Sequence, residues 1–222
     1  NYIIWGKPTS RWGEIGMLTP TADTGYSVLY SEKPNCNTIG ADINGDGYKD
    51  IVAGQQAKGN FLTWFENPGD EKENWKFYII EDRFEKYHDQ EIGDVDNDGK
   101  EELVIISQIS KIIGYYDIPE NPYDKNSWQK NFHIIYEGIE VEGIKVVDID
   151  NDGENEIIAG PNVFKYSKSK KIWEREILSE ELEKTRVEIG DIDNDGNYEI
   201  IFSEGESFPG KLVIMKYPEK EK

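Results

Sequence analysis

The sequence predicts an all-β fold, a β-propeller of four-stranded blades, and three observations carry that expectation. An acidic motif recurs four times, a β-branched run follows each copy at once, and the composition suits strands and turns. The copies are "IGADINGDGYKDIVAG" from Ile39, "IGDVDNDGKEELVIIS" from Ile92, "VVDIDNDGENEIIAG" from Val146 and "IGDIDNDGNYEIIFSEG" from Ile189. Their first aspartates, Asp42, Asp94, Asp148 and Asp191, stand 52, 54 and 43 residues apart. That period means one supersecondary unit per repeat and lies in the range of propeller blades. Glycine at 21 and tyrosine at 13, with alanine and leucine sparse, favour strands and turns over helices.

Each motif ends a short first strand and opens a second, at residues 50–54, 102–107, 156–160 and 199–203. An aromatic-rich third segment follows ("NFLTWFENP", "IIGYYDIP", "NVFKYSK", "KLVIMKYP"), then a fourth ("WKFYIIED", "NFHIIYEG", "WEREILSE"). Before the first motif, "NYIIWG", "GEIGMLTP" and "GYSVLYSEK" read as the second, third and fourth strands of a further blade. The expected organisation is one propeller domain over 1–222, with a partial blade at 1–35, blades at 36–87, 88–141 and 142–184, and a partial blade at 185–222. Five blades, or part of a larger seven-bladed ring, both fit.

A formal charge of −20, from 45 acidic and 25 basic residues, repels phosphate backbones and anionic membranes over a Debye length. Nucleic acid is therefore excluded as an expected partner. No apolar run approaches the roughly 18 residues that cross a bilayer, so membrane insertion is not expected. Cys36 is the single cysteine, so no internal disulfide forms.

Calcium takes six to eight oxygen ligands, and carboxylates at alternate loop positions converge on one ion. Counting the first aspartate as position 1, side-chain oxygens fall at positions 1, 3, 5 and 9. They belong to Asp42, Asn44, Asp46 and Asp50; Asp94, Asp96, Asp98 and Glu102; Asp148, Asp150, Asp152 and Glu156; and Asp191, Asp193, Asp195 and Glu199. Position 7 would contribute a backbone carbonyl and holds Tyr48, Lys100, Glu154 or Asn197. Position 6 is always glycine, the residue that turns at positive φ without cost. An EF-hand needs a bidentate Glu at position 12, where this chain has Ala53, Ile105, Ala159 and Phe202, each inside a β-branched run. The loops are thus strand-to-strand connections with up to four structural Ca²⁺. Fifteen carboxylates in the four loops would repel one another without a cation.

"IGADINGDGYKDIVAGQQ" and its three counterparts resemble the calcium-loop core of FG-GAP or VCBS repeats, the type found in integrin α-chain propellers and many secreted microbial proteins. "IIAGP" at 157–161 is similar to the GAP portion, whereas the Phe-Gly half is missing. The resemblance covers about 37–215 and implies a secreted or cell-surface setting, where such modules bind calcium at about 10⁻⁴ to 10⁻³ M.

In a propeller the residues before each first strand gather at the channel mouth opposite the calcium loops. The candidate ligand-binding set there is Arg11, Trp12, Gln55, His88, Gln90, Glu142 and Arg186. An indole stacks on a sugar face while amides and carboxylates bind hydroxyls, so the expected partner is a carbohydrate or an extracellular protein. The alternative is a polysaccharide lyase in which His88 is the base and Arg186 or Lys7 neutralises a uronate carboxylate. His133, on an aromatic-rich strand, reads as a packing residue.

Overall fold

The computed structural model describes residues 3–6, 13–18, 26–31, 35–56, 59–70, 73–205 and 209–218, with side chains from Asn37 onward. Two compact units divide the chain: 1–90 with 118–131, and 91–117 with 132–222. All the sheets are antiparallel and follow chain order.

In the first unit β1 (Ile3–Gly6), β2 (Gly13–Leu18) and β3 (Tyr26–Ser31) form a three-stranded sheet, with Ile3 opposite Leu18 and Gly13 opposite Ser31. A four-stranded meander follows: β4 (Asn35–Ala41), β5 (Asp50–Gln55), β6 (Leu62–Glu66) and β7 (Lys76–Glu81). Strand β5 is buried along its whole length, which suits a β-branched run covered on both faces. Gly54 allows the close approach of the chain at Tyr87, since a Cβ there would lie 2.2 Å from the Tyr87 carbonyl oxygen.

Helix α1 (Lys125–Lys130) packs on β7 and was not expected from the sequence. Asp124 caps it, accepting from the Asn126 N–H at 3.1 Å, one of the orphan donors of the first turn. Six residues are too few for a self-supporting helix. Its anchor is Trp128, fully buried, whose Nε1 donates to the Pro122 carbonyl at 2.8 Å.

The unit boundary falls within β8 (Tyr87–Gly93). Strand β8 is the edge of the sheet that continues through β9 (Glu102–Ser107), β10 (Ile112–Asp117) and β11 (Phe132–Glu137). Next come β12 (Ile144–Val147), β13 (Glu156–Ala159), β14 (Asn162–Ser167) and β15 (Ile172–Ile177), then the three-stranded β16 (Thr185–Gly190), β17 (Glu199–Glu204) and β18 (Leu212–Lys216).

Alternation along β13 shows how the second unit holds together. Ile157 and Ala159 pack with Val104, Ile106, Ile113 and Tyr115 on one side. Ile158, pointing the other way, packs with Val187, Ile200 and Phe202 on the other. The middle sheet is thus covered on both faces, and each fully buried Ile, Val or Phe contributes about 1.5–3 kcal/mol. Among the described residues no helix is long and apolar enough to cross a membrane.

Candidate metal centres

The four loops are built by one hydrogen-bond scheme. The position-1 aspartate accepts the backbone N–H groups of positions 5 and 6: Asp46 and Gly47 on Asp42, which also accepts from Gly45, Asp98 and Gly99 on Asp94, Asp152 and Gly153 on Asp148, Asp195 and Gly196 on Asp191, all at 2.9–3.1 Å. The position-5 aspartate accepts from position 7, at 2.8 Å for Tyr48 and Glu154 and 2.9 Å for Lys100 and Asn197. The position-9 carboxylate accepts from position 2, drawing Ile43, Val95, Ile149 and Ile192 N–H groups onto Asp50, Glu102, Glu156 and Glu199.

Two positions in each loop take positive φ. The position-6 glycines Gly47, Gly99, Gly153 and Gly196 lie at 90–93°. Position 4 does so as well, with Gly45 at 75°, Asn97 at 61°, Asn151 at 57° and Asn194 at 60°. Asparagine and glycine are the residues that enter this region most cheaply, so the signal stood in the sequence at position 4 and was missed.

Position 9 opens the second strand in every repeat and is buried, at 1–3 % exposure for Asp50, Glu102, Glu156 and Glu199. In the second, third and fourth loops one oxygen from each of positions 1, 3 and 9 lies within 4.8 Å of the other two. In the first loop Asn44 replaces the position-3 acid. Its Nδ2 donates to Asp46 Oδ2 at 3.1 Å, and Glu66 Oε1 and the Tyr123 hydroxyl lie at 3.4 Å.

The crowding shows in the acidities. Burial, with Asp96, Asp94 and Asp98 nearby, pushes Glu102 up to about 8. Burial raises Glu156 to about 7 against the opposing charge of Lys165. Asp96 Oδ1 and Glu199 Oε1 are buried with no hydrogen-bond partner, and such an acceptor costs about 1–3 kcal/mol. All-oxygen donors with unsatisfied buried acceptors fit a hard divalent cation of the calcium type.

Neighbouring loops of the second unit are joined by asparagines. Asn155 N–H donates to Asn97 Oδ1 at 2.7 Å and Asn155 Nδ2 to the Asp94 carbonyl at 2.9 Å, while Asn151 Nδ2 donates to Asn197 Oδ1 at 3.1 Å.

The ligand candidates fall in both units. In the first, His88 is 6 % exposed and its Nδ1 lies 2.7 Å from Asp89 Oδ2, while Asp89 Oδ1 accepts from Asn37 Nδ2 at 2.8 Å. Gln55 is buried and accepts the Phe61 N–H at 3.2 Å; Gln90 is buried and donates to the Tyr87 carbonyl at 3.2 Å. In the second, buried Glu142 accepts from Gln108 Nε2, and the half-exposed Arg186 has Nη2 3.6 Å from its other oxygen. Arg11 and Trp12 lie outside the described residues. His133 stacks on Tyr115, with centroids 4.8 Å apart, and its Nε2 lies 3.1 Å from Asp117 Oδ2.

Residues 42–105, from the first loop through the second, match the model of the FG-GAP-like repeat. The matched stretch, and with it the first two loops, is FG-GAP-like. Among solved structures the chain is similar to the V. cholerae biofilm matrix protein Bap1, with a TM-score of 0.59 and 14 % identity over 97 % of this chain. The chain spans 33 % of that protein's length, and the likeness is one of fold. None of the curated proteins matches it.

Proposed function

We propose that the chain is a secreted or cell-surface recognition module, a β-propeller of FG-GAP repeats stabilised by structural calcium, that binds carbohydrate or another extracellular protein. The observation that carries this reading is the identical hydrogen-bond scheme of four acidic loops, each ending on a buried position-9 carboxylate that opens a strand. The residues that would hold the ions are the loop acids with Asn44 and the carbonyls of Tyr48, Lys100, Glu154 and Asn197. Bound there, calcium supplies charge neutralisation and closes the strand connection. The fold likeness to a biofilm matrix protein supports an adhesive rather than a catalytic setting.

Ligand contact is assigned to Arg11, Trp12, Gln55, His88, Gln90, Glu142 and Arg186. The lyase alternative draws less support, because its base, His88, is almost out of solvent and already bonded to Asp89. Glycan-array screening tests the reading: binding that is lost in both Trp12→Ala and Arg186→Ala supports a carbohydrate ligand. Release of unsaturated uronate from acidic polysaccharide, abolished in His88→Ala, would replace it with the lyase.

A further inference from the structure

The four loops share a scheme, yet the third strand of each sheet presents a different residue to the position-9 carboxylate. Glu102 pairs across the strands with Asp117, and Glu199 with Lys216. By the same antiparallel register, one step from Ile157 opposite Phe164, Glu156 faces Lys165. In the first unit Asp50, one step from Ile51 opposite Phe65, faces Glu66. Two loops therefore meet an acid where two meet a lysine.

The side chains follow the register. Lys165 Nζ bonds Asp150 Oδ2 and lies 3.8 Å from Glu156 Oε1. Lys216 Nζ lies 2.6 Å from Asp193 and from Asp195, and 3.6 Å from Glu199 Oε1. Each ammonium thus sits on carboxylates that a cation would share. In the second loop the single described cation within 4 Å is the exposed Lys100, whose Nζ is 3.7 Å from Asp98. Asp117 points more negative charge at Asp96. Here Asp96 Oδ1 is buried without a hydrogen-bond partner beside Glu102, itself 3 % exposed.

An ammonium placed among carboxylates performs half of a divalent ion's neutralisation and has to be displaced or electrostatically overcome before the ion enters. Both lysines are long, partly solvated side chains that can swing away, so they compete with the ion without blocking the loop. We infer that the loops are not equivalent: the loop of residues 94–102 takes up a divalent cation before the third and fourth loops, where Lys165 and Lys216 are resident cations that weaken ion uptake. This rests on the calcium reading above and adds an order of filling to it.

The glycine amides at position 6 each donate to the position-1 carboxylate, so Gly99, Gly153 and Gly196 report their loops separately. Titrating the full chain with calcium chloride and following these amides by nitrogen-15 NMR should show Gly99 saturating at a calcium concentration at least tenfold below the other two. Lys165→Met should bring the Gly153 midpoint down toward that of Gly99, and Lys216→Met should do the same for Gly196. Asp117→Lys, which builds the lysine into the second loop on an exposed side chain, should move the Gly99 midpoint up toward the others. Equal midpoints in the unaltered chain, or midpoints that ignore all three substitutions, would overturn the inference and leave calcium binding standing. Amides that stay fixed to 10-fold above about 10⁻³ M calcium would remove the calcium reading itself, and the order of filling with it.

Discussion

Two glutamates, both out of water, behave in opposite ways. Glu81 closes β7 in the first unit, and Glu102 opens β9 in the second; they are 0 % and 3 % exposed. Burial pushes both carboxyls up. For Glu81 it is outweighed by the Arg83 guanidinium, the N–H groups of Asp82 and Arg83 at 2.9 and 3.1 Å, and Gln129 Nε2 at 2.9 Å, and the group ends below its ordinary 4.5. Around Glu102 the neighbours are aspartates, and the Val95 N–H at 2.9 Å does not offset them. A buried acid surrounded by donors is a finished structural element, whereas a buried acid surrounded by acids is half of a binding site.

The largest test of that contrast is Glu81→Ala. It leaves the Asp82 and Arg83 amides without their acceptor while the half-exposed Arg83 guanidinium turns to solvent, and the expected loss is about 3 kcal/mol, from several hydrogen bonds to a charged group at about 1.5–3 kcal/mol each. Thermal unfolding should show a fall on the order of 10 °C whether calcium is present or not. A loss under about 1 kcal/mol would show that Glu81 is not the anchor its donors suggest.

Calcium removal comes next. An ion held at a hundred times its dissociation constant stabilises by about 2.7 kcal/mol per site. EDTA should therefore lower the melting temperature of the unaltered chain, and an unchanged transition would contradict ion binding. Glu102→Gln separates the two glutamates more finely. In calcium it should destabilise by about 1–3 kcal/mol through the lost ligand, and in EDTA it should be neutral or stabilising because it removes repulsion. The same loss in both buffers would make Glu102 another Glu81.

The smallest effect is in acid. Glu81 has a depressed pKa, so its contribution is present above its ordinary value of 4.5 and disappears as pH falls through the lowered one. The stability gap between the unaltered chain and Glu81→Gln should narrow by on the order of 1 kcal/mol between about pH 5 and pH 3. A gap that holds constant through this range would mean that the glutamate charge contributes nothing.

What the sequence made legible was local. Position-9 acids open the second strands, at Asp50, Glu102, Glu156 and Glu199, because a turn at glycine followed by β-branched residues admits little else. The continuous run "EIIA" is buried at every residue of β13. The partners that distinguish the loops escaped, since Glu66, Asp117, Lys165 and Lys216 stand 9–17 residues downstream of position 9 and meet the loop only through strand register. Their signal was present as one aligned column of the third-strand segments, acid in two repeats and lysine in two. Helix α1 escaped because its stability comes from Trp128 packing and the Asp124 cap rather than from a periodic apolar face. His88 reads from the sequence as a polar residue before a strand, whereas it lies inside β8, and its burial against Asp89 depends on contacts that no local pattern encodes.

The asparagine bonds between loops carry a consequence for engineering. Asn155 needs Asn97 Oδ1 and the Asp94 carbonyl of the preceding repeat, so the third motif is not a portable cassette. Grafted alone into another scaffold, it would keep its acids and lose the brace that sets its backbone; the transplantable part is a pair of repeats.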